Sequence, residues 1–99
     1  MEKYWLKSYP ADIPAEIDPT QYTSMKEMIE ANLAKYADRD AYVQMDRAMT
    51  FGELDRLSSA FGAWLQQVAG LEPGDRIALM MPNLLKYPVA MFGALRAGF

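Results

Sequence analysis

The last 24 residues, Arg76 to Phe99, read RIALMMPNLLKYPVAMFGALRAGF and constrain the fold more than any other stretch. Ile77, Leu79 and Met81 lie in a nearly unbroken apolar run, the pattern of a strand covered on both faces in a parallel sheet. Pro82 and Asn83 break the run, and Asn83 is placed to cap a following helix. Pro88 would remove a backbone hydrogen bond inside such a helix, so an irregular start is expected, with regular helix from about Tyr87 to Ala97. Gly98 sits where a left-handed closing residue belongs. A strand, a turn and a helix in this order predict a crossover into a parallel neighbour, so the chain reads as the opening of a larger α/β unit.

Upstream, Ser24 and Glu27 have the spacing of a capping box, and Met25, Met28, Ile29, Leu33 and Tyr36 recur at helical intervals, predicting a helix over 25–36. Ala41 to Met45 alternates as a strand, Asp46-Arg47 is the expected turn, and Ala48 to Thr50 can pair back to complete a β-hairpin. Thr50 and Glu53 form a second capping box. A long helix with Leu54, Leu57, Phe61, Trp64, Leu65 and Val68 on one face then runs to about Ala69-Gly70. The turn Leu71-Glu72-Pro73-Gly74-Asp75 leads to the strand at Arg76. The expected order is therefore helix, β-hairpin, helix, strand, helix over residues 24–99.

Residues 1–23 contain Pro10, Pro14 and Pro19, which favour an extended arm over a helix. Tyr4, Trp5, Leu6, Tyr9, Ile13, Ile17 and Tyr22 give that arm enough apolar surface to dock on the protein it belongs to. Lys3-Tyr4-Trp5-Leu6-Lys7 also has the mixture of a membrane-interface segment, so peripheral membrane contact is the alternative. No internal repeat or low-complexity segment is evident.

Composition narrows the chemistry. A net charge of −3 without a basic stripe excludes nucleic acid as a main partner. The chain has no cysteine and no histidine, which removes thiol nucleophiles, the usual general base and the commonest metal ligands. There is no secretory signal pattern and no run of roughly 18 apolar residues, so the cytoplasm is the expected compartment, with the inner face of the cell membrane as the alternative. Gly70 and Gly74 bound a short loop, but it precedes a strand where phosphate loops follow one, and no Gly-Lys-Ser/Thr is present. Asp38, Asp40, Asp46, Glu53 and Asp55 sit at turns and helix starts, where capping and solvation explain them better than a metal site. The eight methionines are expected to fill gaps in the core.

Three stretches carry a resemblance: WLKSYPADIPAEID, MTFGELDRLSSAFGAWLQQ and, most of all, GDRIALMMPNLLKYPVAMFGALRAG. They resemble the N-terminal region of bacterial long-chain fatty acid CoA ligases, within the adenylate-forming enzymes, over nearly the whole chain. That resemblance implies attack of a fatty acid carboxylate on the α-phosphorus of ATP with Mg²⁺ present, then displacement of AMP by coenzyme A. It also implies that the phosphate loop, the adenine and ribose contacts and the hinge to a mobile C-terminal domain lie beyond Phe99. No catalytic, cofactor-binding or metal-binding residue is assigned within the chain, and Pro82-Asn83 and Arg96-Ala97-Gly98 carry structural roles. On this reading residues 1–99 are an inactive N-terminal segment of a ligase. The alternatives are a freestanding interaction or regulatory module without catalysis, or a ligase for a different carboxylic acid. An uncovered strand at Ile77 to Met81 would favour self-association or exchange of elements between copies.

Overall fold

The computed structural model describes all 99 residues, Met1–Phe99. Its elements are a short 3-10 helix at Tyr4–Ser8, α1 (Met25–Lys35), β1 (Asp40–Gln44), β2 (Arg47–Thr50), α2 (Phe51–Gln67) and α3 (Lys86–Ala97). The β1–β2 hairpin is the whole sheet, and Ile29 and Leu33 of α1, Met49 of β2 and Leu54 of α2 form the core beneath it. Ala41, Phe51, Leu57, Leu85, Val89 and Phe92 pack around this cluster.

Both helix starts form where their caps stand, but the caps close differently. At α2 the Thr50 hydroxyl accepts from the Glu53 N–H, and the Glu53 carboxylate accepts from the Thr50 N–H, a complete capping box. At α1 the Ser24 hydroxyl accepts from the Glu27 N–H, but the Glu27 carboxylate turns to the hydroxyl and N–H of Thr23. Those two hydrogen bonds from Thr23 hold the Glu27 carboxyl below its ordinary pKa.

The hairpin turn falls one residue earlier than its sequence suggests. Gln44 pairs with Arg47, so Met45-Asp46 is the two-residue loop, and both adopt positive φ of 47° and 61°. That is the geometry that matches the twist of the flanking strands. Asp46 tolerates it readily, whereas Met45 is forced into it by strand pairing on either side.

The expected strand at Arg76 to Met81 does not form. From Arg76 to Pro82 no N–H or C=O joins a backbone–backbone hydrogen bond. A strand exists only by pairing, and no segment among these residues lies beside it to supply the ladder. The alternation survives in burial alone: Ile77 and Leu79 are half-buried, while Ala78 and Met80 are exposed. The run is nevertheless tied at both ends. Before it, the Gly74 N–H donates to the Gly98 carbonyl at 2.9 Å. After it, the Gln44 side chain donates to the Asn83 carbonyl at 3.0 Å and accepts from the Leu85 N–H at 3.1 Å. Asn83 is thus not the helix cap; Gln44, reaching from the hairpin, satisfies the N–H ahead of α3. Pro88 falls within the first turn of α3, where its missing N–H would have had no helical partner, and Gly98 closes the helix at φ 97°.

The buried face of α2 also differs from its hydrophobic stripe. Leu54, Ser58, Gly62 and Leu65 are buried, while Trp64 and Val68 are exposed. Ser58 and Gly62 lie against Gly93 and Ala97 of α3, so close that a Cβ on Gly62 would meet the Gly93 carbonyl oxygen at 2.9 Å. One on Gly93 would meet the Ser58 carbonyl oxygen at 2.8 Å. Small residues set this helix separation, and the larger apolar ones are displaced to the rim. The methionines likewise are not core filler, since Met49 alone is buried and Met1, Met25, Met45, Met80 and Met81 are exposed.

The arm holds one 3-10 turn in otherwise irregular chain. Of its apolar side chains, Leu6 and Tyr22 are half-buried, while Tyr4, Trp5, Tyr9, Ile13 and Ile17 are exposed within these 99 residues. The Asp18 carboxyl is held below its ordinary pKa by the Thr20 hydroxyl and N–H, which fold back on it in a local turn.

Candidate functional site

Two concavities are lined by charged side chains. The smaller, about 230 Å³, lies where α1, α2 and α3 meet and is lined by Lys26, Glu30, Ser58, Gly62, Gln66 and Arg96 among others. Arg96, from the last turn of α3, is its centre. Its guanidinium donates to the Ser58 hydroxyl at 2.8 Å, to the Asp55 carbonyl at 3.1 Å and to the Glu30 carboxylate at 3.3 Å. It also lies 2.8 Å from the Asp55 carboxylate. The Ser58 hydroxyl in turn donates a hydrogen bond to the Asp55 carbonyl at 3.2 Å. Three helices therefore converge on one cation, with its charge met by two carboxylates. With its charge already met by two carboxylates, the arrangement works as a clamp that joins the three helices.

The larger concavity, about 620 Å³, runs between the hairpin turn and the start of α3. Met45, Ala48, Met49, Leu57, Leu84, Leu85 and Val89 give it an apolar wall, with Gln44, Arg47, Glu53 and Lys86 as its polar groups. Gln44 is spent on Asn83 and Leu85, and Glu53 on the α2 cap. It can receive an apolar group beside a positive rim, but it offers no nucleophile or proton-transfer pair.

The loop around Gly70 and Gly74 does not fit a phosphate. Both glycines have positive φ, 69° and 92°, but the Gly74 N–H is used by Gly98. The Glu72 N–H is taken by the Asp75 carboxylate at 2.9 Å, so an anion of the chain already occupies the place a phosphate would need. The carboxylates singled out in the sequence do not converge. Glu53 caps α2, Asp55 meets Arg96, and Asp38, Asp40 and Asp46 lie exposed about the hairpin. No group of three or more acidic, histidine or cysteine side chains is placed to hold a metal ion. No helix is long and apolar enough to cross a membrane.

The Arg96 clamp went unseen in the sequence, where Arg96 read only as a helix end. Its signal was the isolated Ser58 on the apolar side of α2, a polar group that requires a partner when buried.

Residues 29–99, most of the folded part, match the AMP-binding enzyme family. The chain belongs to that family. Relatives extend the match through the arm. It is 60% identical over 98 residues to a long-chain-fatty-acid–CoA ligase of Yersinia pestis, covering 99% of this chain and 17% of that protein. It is 32% identical over 97 residues to the long-chain-fatty-acid–CoA ligase of Bacillus subtilis, covering 98% of this chain and 17% of that protein. A long-chain-fatty-acid–AMP ligase of Mycolicibacterium smegmatis is 46% identical over 52 residues, 52% of this chain and 8% of that protein. The AMP-binding family chain thus spans about a sixth of the length of the curated relatives it matches. No solved structure matches it.

Proposed function

We propose that residues 1–99 form the N-terminal scaffold of a long-chain fatty acid CoA ligase, which joins a fatty acid to coenzyme A at the expense of ATP through an acyl-adenylate. The observation that carries this reading is identity of 58–60% to enterobacterial long-chain-fatty-acid–CoA ligases along 98 residues, arm included. Identity in the arm matters because it lies outside the matched family region of 29–99 and so speaks for the long-chain branch in particular. ATP, coenzyme A and the fatty acid are substrates of the whole enzyme. The role of these residues is to hold α1, the hairpin, α2 and α3 in place through the Arg96 clamp and the glycine seam, with Arg76 to Pro82 available to the sheet.

The test expresses the reading frame that contains this chain and measures fatty acid-dependent ATP–pyrophosphate exchange and thioester formation across acyl lengths. Long-chain acids are expected to support both, and residues 1–99 alone neither. Exchange by residues 1–99 alone would end the scaffold assignment. Thioester formation confined to short-chain or aromatic acids would end the substrate assignment.

A further inference from the structure

Gln44 makes contacts that its place in the hairpin does not require. It ends β1, yet its amide crosses to the segment that leads into α3, donating to the Asn83 carbonyl at 3.0 Å and accepting from the Leu85 N–H at 3.1 Å. Those two groups flank Leu84, and a neighbouring parallel strand would bind the same pair. The side-chain amide therefore stands where one residue of a strand could stand. No other hydrogen bond joins the hairpin to residues 71–99.

The hairpin register is the one that delivers this contact. Met49 fixes β2 in the core, and pairing of Gln44 with Arg47 obliges Met45 to take a φ of 47°. That conformation is unfavourable for a long side chain. A loop at Asp46-Arg47 would release Met45, but it would set Gln44 opposite Met49, about 7 Å back along the hairpin and away from Asn83 and Leu85. Strain at Met45 and the reach of Gln44 thus belong to the same register.

The contact also falls at a consequential place. Asn83 directly follows Arg76–Pro82, a run with the pattern of a strand and no backbone partner among these residues. In an open α/β sheet the carboxyl ends of the strands are the ends that face ligands.

We infer that Gln44 is a strap of the whole enzyme, fastening the carboxyl end of the Arg76–Pro82 strand and the start of α3 to the hairpin. The turn beyond the strand is then positioned by the hairpin and not by the sheet. This rests on the reading above, in which the run joins the sheet of the ligase.

Residue-resolved amide hydrogen exchange on the protein encoded by the whole reading frame tests it, with Gln44→Leu and Gln44→Glu. Leucine fills the space and removes both hydrogen bonds, whereas glutamate keeps the acceptor for Leu85 and loses the donor to Asn83. Exchange at Leu85 is expected to quicken about tenfold in Gln44→Leu and less in Gln44→Glu, with the amides of Leu54 to Leu65 unchanged. Met45→Gly, which relaxes the left-handed turn, should leave Leu85 protected. A Leu85 amide that exchanges freely in the unaltered protein, or is equally slow in Gln44→Leu, would overturn the inference. So would a rise of the same size throughout α2, which would make Gln44 a contributor to general stability only. Free exchange at Ile77 and Leu79 would remove the strand on which the strap acts and overturn it too. Failure of the ligase reading is seen separately, as absence of thioester formation from long-chain acids.

Discussion

The α2–α3 pair and the Arg76–Pro82 run that precedes α3 are both rich in apolar residues, but only the helices complete their structure from within the chain. A helix closes its hydrogen bonds locally, so α2 and α3 needed only a face on which to meet. Ser58, Gly62, Gly93 and Ala97 supplied it by being small. The run from Arg76 has the composition of a strand and no neighbour, and its backbone stays unpaired. Apolar content decides that a segment will be covered; it does not decide by what.

The comparison can be broken most severely at Gly93. Gly93→Val places atoms against the Ser58 carbonyl and the Phe61 ring and should cost about 3 kcal/mol, seen as a large fall in the thermal midpoint. A variant as stable as the parent would mean that the close helix approach is not what joins α2 to α3. Next is Arg96→Ala, which strips Ser58, Asp55 and Glu30 of their shared donor. The two carboxylates are 43% and 44% exposed and recover water, so the expected loss is about 2 kcal/mol by denaturant titration, below that of a fully buried pair. Thr50→Ala should cost about 1 kcal/mol by the same titration. Ser24→Ala should cost less, because Glu27 is held by Thr23 and α1 keeps half of its cap. The smallest effect belongs to Met80→Pro. That N–H has no backbone partner and the side chain is exposed, so stability of the 99-residue chain should change by less than about 0.5 kcal/mol. A loss of several kcal/mol there would show that the run is paired after all.

Much of the folded part was legible from residues alone. Two cap signatures and the 3.6-residue period located α1 and α2 closely, and the closing Gly98 located the end of α3. What escaped depended on contacts distant in sequence. The strand at Arg76 was a correct reading of local pattern that lacked a pairing partner. The face of α2 was misassigned because hydrophobic periodicity weights Phe61, Trp64 and Val68 above Ser58 and Gly62, whereas tight helix approach selects the smaller pair. Gln44 looked like an ordinary strand residue, and only the fold shows it satisfying the start of α3 from 41 residues away.

The two tethers of the Arg76–Pro82 run have a kinetic and entropic meaning. Gly74 is fastened to Gly98 on one side, and Asn83 and Leu85 are fastened to Gln44 on the other. Its conformational freedom is therefore largely surrendered before any neighbour arrives. An incoming strand that zips onto it forfeits chiefly its own disorder, which makes this edge a nucleation template for sheet growth.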